Sequence, residues 1–181
     1  MKIIKADAFH FDTLEGGHIV KGVKTLGSVR GLYENSQGLP DETPVYTVYS
    51  HEDCDPKLRG ELYWGLTVLE PLLVNGECNM TRGHFHQDRD CAEYYFGIEG
   101  RGLLLLMDEA GETWAEQVEK GSLHHIPGRL AHRLVNVGDV PLKVGACWPA
   151  TAGHDYGSVE RLEFGYRIFK QDGQVVAKER I

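Results

Sequence analysis

The sequence predicts an all-β fold, a sandwich or small barrel with few short helices. Three observations carry this. Short runs with period-two alternation or β-branched and aromatic content recur along the chain, turn signals separate them, and no segment keeps a 3.6-residue apolar period over a dozen residues.

Taken in order, the first forty residues read as strands and loops. Residues 31–43 are polar and turn-rich, which fits a loop or a single helical turn. VYTVY at 45–49 and ELYWGLTVL at 61–69 are strands by their β-branched and aromatic content, and Asn75-Gly76 marks a turn beyond them. EYYFGI at 93–98 follows, closed by Glu99-Gly100. The apolar run 103–107 and the aromatics Tyr94 and Phe96 read as core or interface. WAEQV at 114–118 lies between Gly111 and Gly121. LHHI at 123–126, AHRLVNV at 131–137, PLKVGACW at 141–148 and GYRIFK at 165–170 complete the series. Many short strands at this spacing suit a closed or sandwiched antiparallel architecture.

The chain has 181 residues, which suits one domain with a sizeable core. No repeat, low-complexity tract or linker divides it, so a single domain over 1–181 is expected. With 27 acidic and 19 basic side chains the net charge is −8. The mean field repels phosphate backbones and anionic lipid, so neither nucleic acid nor membrane is an expected partner. The opening MKIIKADAFHF lacks the apolar run of a signal peptide, and 103–107 is far short of a membrane span. A cytoplasmic protein is therefore expected. Cys54, Cys78, Cys91 and Cys147 show neither disulfide-scaffold density nor a C-x-x-C pair and read as buried thiols.

The histidines carry the chemistry. Six of the nine lie between residues 84 and 154. His84-Phe85-His86 on a strand places both imidazoles on one face and Phe85 on the other. After the polar connection 87–90, the strand beginning at Glu93 is expected to return beside it as a hairpin partner, bringing a carboxylate. His132 on a later strand could supply a fourth ligand. Three neutral imidazoles and a carboxylate suit Fe(II), Mn(II), Zn(II) or Ni(II) and leave coordination positions open. An isolated H-x-H is more often a hydrogen-bonded pair, and four ligands in strand context reverse that balance. His10, His18 and His51 lie outside this region, and His124 and His125 point to opposite faces of a strand. These five read as structural.

These residues resemble the cupin family. Its first motif is similar to His84, His86, Glu93 and Gly100, and its second to Gly121, Pro127, His132 and Asn136, with Arg129 where a glycine is usual. The long gap from His86 to Glu93 resembles the cupin-type phosphoglucose isomerases. So does the wording Thr81-Arg-Gly-His-Phe-His86, Ala92-Glu93-Tyr-Tyr95, Ala131-His132-Arg and Trp148-Pro-Ala-Thr-Ala-Gly-His154-Asp-Tyr156-Gly. The resemblance covers about residues 45–160, between an N-terminal segment 1–44 and a tail 161–181. It implies a jelly-roll-like cupin barrel that pairs as a homodimer and interconverts glucose 6-phosphate and fructose 6-phosphate.

By the same resemblance the barrel holds one divalent ion per subunit on His84, His86, Glu93 and His132, Fe(II) foremost with Mn(II), Zn(II) or Ni(II) as alternatives. Glu93 is then ligand, base, or both, and a metal-assisted hydride shift needs no base. Tyr95 shares its face of the strand and could orient the sugar or relay a proton. His154 is implied in binding or opening the sugar ring. The phosphate falls to Thr67, Thr81 and the Gly83 amide, with Tyr156 and with Trp148 where members carry tyrosine. Trp148 offers one N–H and no hydroxyl, so Arg82 or Arg129 could add charge. An Fe(II)-dependent cupin oxygenase and a non-catalytic sugar-binding cupin are the alternative readings of the same ligands.

Overall fold

A computed structural model describes residues 1–10 and 13–180. Its strands in chain order are β1 (Ala8–Phe9), β2 (Glu15–Gly16), β3 (Ile19–Thr25), β4 (Pro44–His51), β5 (Leu62–Leu69), β6 (Leu73–Val74), β7 (Glu77–Cys78), β8 (Glu93–Glu99), β9 (Arg101–Met107), β10 (Thr113–Glu119), β11 (Leu123–Ile126), β12 (Ala131–Asn136), β13 (Leu142–Pro149), β14 (Tyr166–Gln171) and β15 (Gln174–Glu179). Two short helices, α1 (Leu26–Val29) and α2 (Tyr156–Leu162), and one 3₁₀ turn (Arg30–Leu32) are the helical elements among the described residues. None is long and apolar enough to cross a membrane.

The strands form an antiparallel six-stranded sheet in the order β11-β8-β13-β5-β4-β3, a three-stranded sheet β10-β9-β12, a four-stranded sheet β15-β14-β7-β6 and the pair β1-β2. Neighbours in the large sheet are often distant in sequence: β13 lies between β5 and β8, with Leu142 opposite Leu69 and Cys147 opposite Tyr94. Such crossing connections make an all-β, jelly-roll-like cupin barrel. Its core draws Val45, Leu69 and Val144 from the large sheet, Leu104, Leu106 and Leu134 from the three-stranded one, and Ile168 from the C-terminal hairpin. All seven are buried. At about 25 cal/mol per Å² of apolar surface, each large aliphatic side chain so placed contributes roughly 1.5 to 3 kcal/mol.

Eight expected strands appear within a residue or two of their predicted bounds, and LHHI coincides with β11. The run 103–107 is core, as expected: it belongs to β9, with consecutive residues 104–107 all buried, so it is covered on both faces and shows no alternation. Three expectations change. Residues 84–86 are no regular strand: His84 bridges His132 and Phe85 bridges Asp155. Nor does β8 return beside them, because its partners are β11 and β13. Of the four free cysteines only Cys78 is buried.

Two backbone positions explain the departures from the second motif and the tight approach at the first. Arg129 adopts φ +68°, the left-handed conformation that a glycine takes without strain, so an arginine stands here in a glycine's geometry. Gly83 has φ +73°, and a Cβ there would lie 3.0 Å from the Phe164 ring and 3.1 Å from the His132 carbonyl oxygen. This glycine lets the 81–86 segment lie against β12 and so brings His84 to His132.

Candidate active site and metal centre

The bridge between His84 and His132 is a reciprocal pair of hydrogen bonds: His84 N donates to His132 O at 3.3 Å and His132 N to His84 O at 3.1 Å. It fixes the two imidazoles with centroids 4.3 Å apart. Phe85 points away into the core, 1% exposed, as the alternation requires. The His86 ring lies 5.3 Å from that of His132. Glu93, the first residue of β8, completes the group, and the ligand atoms of His84, His86, Glu93 and His132 all lie within 4.8 Å of one another. The two sheets meet here, since Glu93 belongs to the large sheet and His132 to the three-stranded one.

The donor set fits a divalent cation on the structure's own evidence. Glu93 Oε1 and His132 Nε2 are 2.6 Å apart but misaligned for a hydrogen bond, and both are enclosed with no hydrogen-bond partner, as is His132 Nδ1. Leaving buried polar atoms unpaired costs about 1 to 3 kcal/mol each, a cost that a shared cation removes. His86 Nδ1 lies 2.9 Å from the Cys91 carbonyl oxygen. A carbonyl only accepts, so Nδ1 carries the proton and Nε2 keeps its lone pair, 3.8 Å from Glu93 Oε1. Burial first, then the neighbouring imidazoles, holds His84 well below the usual histidine range. Burial likewise lowers His86 and His154. The rings stay neutral at neutral pH, the state a metal ligand needs.

A cavity of about 260 Å³ opens onto this group, near the lower end for small-molecule sites. Thr67, Thr81, Gly83, Trp148, Tyr156, Tyr95 and His154 all line it, together with His84, Glu93 and His132. His86 backs the group from outside the lining. Tyr95 is half-buried. Burial, followed by the Glu93 carboxylate, pushes its hydroxyl well above the usual tyrosine range, so it keeps its proton. The His154 ring sits 4.4 Å from His84 and stacks on Tyr156 at 5.8 Å. Tyr156 in turn lies under the Arg82 guanidinium, 4.3 Å away.

Asp155 places these two rings. It caps α2 by accepting from Ser158 N at 3.0 Å, and its other oxygen accepts from Ser158 Oγ at 2.6 Å and Arg89 Nη2 at 2.5 Å. Those partners hold its carboxyl at a pKa of about 2. Of the two arginines considered for added charge, Arg82 lines the cavity. Arg129 does not. It pairs with Asp90 at 3.2 Å and Glu109 at 3.6 Å, held there by its left-handed backbone.

Sequence reasoning missed Lys24 and Tyr46, which also line the cavity. Alternation places Tyr46, Val48 and Ser50 on one face of β4, but it does not say which face of the strand turns inward. His124 is a structural histidine as expected, held between Glu116 Oε2 at 2.6 Å and Ser122 Oγ at 2.8 Å, while His125 packs outward on Tyr94.

The family model for glucose-6-phosphate isomerase (GPI) matches residues 22–181. The chain is 35% identical over 164 residues to glucose-6-phosphate isomerase of Thermococcus litoralis, covering 88% of this chain and 85% of that one. It is 36% identical over 177 residues to that of Pyrococcus horikoshii, covering 95% and 91%. Among solved structures, oxalate decarboxylase from Bacillus subtilis aligns at 20% identity with a TM-score of 0.49, over 67% of this chain and 30% of that one. On the family model and the relatives' identity over most of its length, the chain belongs to the glucose-6-phosphate isomerase family.

Proposed function

We propose that the protein interconverts glucose 6-phosphate and fructose 6-phosphate as one cupin domain in the cytoplasm, with a divalent ion on His84, His86, Glu93 and His132. Fe(II) is the first candidate ion, with Mn(II), Zn(II) and Ni(II) behind it. The observation that carries the reading is the set of unpaired buried atoms of Glu93 and His132 at the wall of a sugar-sized cavity, in a chain of this family. Such an ion, when bound, supplies Lewis acidity toward the oxygens on C1 and C2 of the sugar.

The chain's own groups divide the remaining work. Glu93 takes the proton from C2 of the open-chain aldose and returns it to C1 while the hydroxyl proton on O2 passes to O1, which moves the carbonyl from C1 to C2 without a net proton change. Tyr95, protonated and beside that carboxylate, donates to a sugar hydroxyl and fixes the carbon skeleton against Glu93. His154, neutral and at the cavity wall, assists ring opening by exchanging a proton with the ring oxygen. Thr67 and Thr81 hydroxyls and the Gly83 amide donate to the phosphate. Thr81 Oγ1 already accepts from Leu134 N at 3.0 Å, which leaves its own proton to give. Arg82 and Lys24 add positive charge along the same wall, the Trp148 indole N–H one further donor, and Tyr156 a hydroxyl. A homodimer is supported by the exposed Tyr94, Phe96 and Leu123 along the β8–β11 edge.

The test strips the protein with chelator, returns Fe(II), Mn(II) or Zn(II) separately, and follows glucose 6-phosphate formed from fructose 6-phosphate with oxygen uptake recorded in parallel. Turnover restored by Mn(II) without oxygen uptake is the expected result. Restored occupancy without turnover under any ion overturns the proposal.

A further inference from the structure

A second constellation lies outside this cavity, where the N-terminal segment meets the ends of β3 and β4. We propose that Asp7, His18, His51 and Asp53 form a second divalent-cation site, of the kind that zinc occupies, which ties the N-terminal segment to the barrel. The proposal does not depend on the isomerase reading.

The local sequence builds the cluster. At Gly16, φ +146°, a Cβ would fall 1.9 Å from the Asp7 carbonyl oxygen, and at Gly17 one would fall 2.5 Å from Asp7 Oδ1. No larger residue fits at Gly16, and one at Gly17 would push the Asp7 carboxylate aside, so the doublet lets Asp7 close onto the start of β3. There Gly17 N donates to Asp7 O at 3.0 Å. Ile19 pairs with His51 across the β3–β4 ladder, and Glu52 N donates to His18 O at 3.0 Å. The two imidazoles therefore meet at the ladder's end, centroids 6.3 Å apart and edge to face. Each of the four residues offers one ligand atom, and these atoms lie within 4.8 Å of one another.

The donors within the cluster do not match its acceptors. His18 Nδ1 lies 3.1 Å from Asp7 Oδ2 and 3.3 Å from Asp53 Oδ1. One ring nitrogen carries at most one proton, so it cannot satisfy both carboxylates. Asp7 Oδ2 also faces His51 Nε2 at 2.9 Å. That hydrogen bond, opposed by partial burial, keeps the Asp7 carboxyl below its ordinary range. Two anionic oxygens and two imidazole nitrogens converging on one point are the donor set of a four-coordinate zinc site. The groups are partly exposed, at 43%, 55%, 27% and 54% for Asp7, His18, His51 and Asp53, so a cation reaches them from solvent. The neighbours of His51 in sequence, Ser50 and Glu52, line the catalytic cavity. A cation here would therefore fix the outer side of the strand whose inner side forms the cavity rim.

The experiment counts zinc. Chelator-stripped protein is equilibrated with Zn(II), separated from free ion by gel filtration and analysed for metal, beside the variants His18→Gln/His51→Gln and His132→Ala. The expected result is two zinc per chain in the parent and one in each variant, with Co(II) giving the visible absorption of a tetrahedral site in His132→Ala. A parent that binds one zinc and loses it in His132→Ala overturns the proposal. So does a His18→Gln/His51→Gln protein that still binds two. If the single zinc is instead lost in His18→Gln/His51→Gln, this site stands and the central one fails. If the double variant does not fold, Asp53→Asn replaces it and should weaken the second zinc by about tenfold or more. Zinc removed equally from parent and variant by a brief chelator wash would mean an adventitious ion only.

Discussion

Replacing Asp155 by alanine removes the cap of α2 and the partner of Arg89 in one step. The cap accepts from Ser158 N and, through its other oxygen, from Ser158 Oγ, and losing an Asp cap costs about 1 kcal/mol. The ion pair with Arg89 is 25% and 30% exposed at its two ends, and allowing for solvent screening it contributes about 0.5 kcal/mol. A loss of about 1.5 kcal/mol lowers Tm by roughly 3 to 6 °C in a chain of this size. Asparagine caps as well as aspartate, so Asp155→Asn forfeits only the ion pair and falls by roughly 1 to 2 °C. The effect also has a pH signature. A carboxyl held at about 2 in the folded chain and near 3.9 unfolded contributes stability that is present above the unfolded value and lost as pH falls toward 2. The gap between parent and Asp155→Ala should therefore narrow between pH 7 and pH 3. Thermal unfolding of all three proteins by circular dichroism at both pH values measures this. Equal Tm for parent and Asp155→Ala at pH 7, or a gap that does not change with pH, refutes the reasoning.

Three further outcomes are expected. Glu93→Gln should cut turnover by about 10²- to 10⁴-fold in samples whose metal content matches the parent, and a smaller loss in steady-state assays favours a hydride shift. His132→Ala should lower central-site metal content and activity together, so full occupancy of that site by elemental analysis would remove the residue from the ligand set. Glu77→Ala should destabilise by roughly 2 to 4 kcal/mol in urea unfolding, because Glu77, 1% exposed, pairs with Arg167 Nη1 at 2.8 Å and its loss leaves a largely enclosed guanidinium without its counter-charge. A change under 1 kcal/mol there would show the pair to be solvated.

The sequence was legible where local pattern and final environment agree. β11 and β12 carry their own alternation or β-branched content and turn boundaries, and the cluster could be named from spacing, because His84, His86, Glu93 and His132 are distinctive residues in extended segments. Pairing was less legible. The expectation that β8 folds back beside 84–86 follows from closeness in sequence, whereas the barrel places β12 against that segment and sends β8 to β11 and β13. α2 escaped notice because its seven residues include Gly157 and are too few to display a helical period. The Asp7, His18, His51 and Asp53 cluster was illegible for a different reason: its members are scattered, and only the glycine-built approach of Asp7 to the β3–β4 ladder collects them.

The placement of Glu93 and His132 on different sheets bears on how the chain reaches its native state. The large sheet sets Leu62 opposite Pro149 and Leu69 opposite Leu142, and β8 along the other side of β13. The loop-closure entropy of such distant pairings must be met before they are rewarded, which places the barrel among topologies that fold in about milliseconds to seconds. The four proposed ligands come from segments that meet only where the two sheets dock. An unfolded or half-assembled chain therefore presents no such centre, and any cation bound there would be coupled to assembly of the barrel. Metal capture at this site would thus report barrel closure, and unfolding of a loaded chain would carry the cost of that binding free energy.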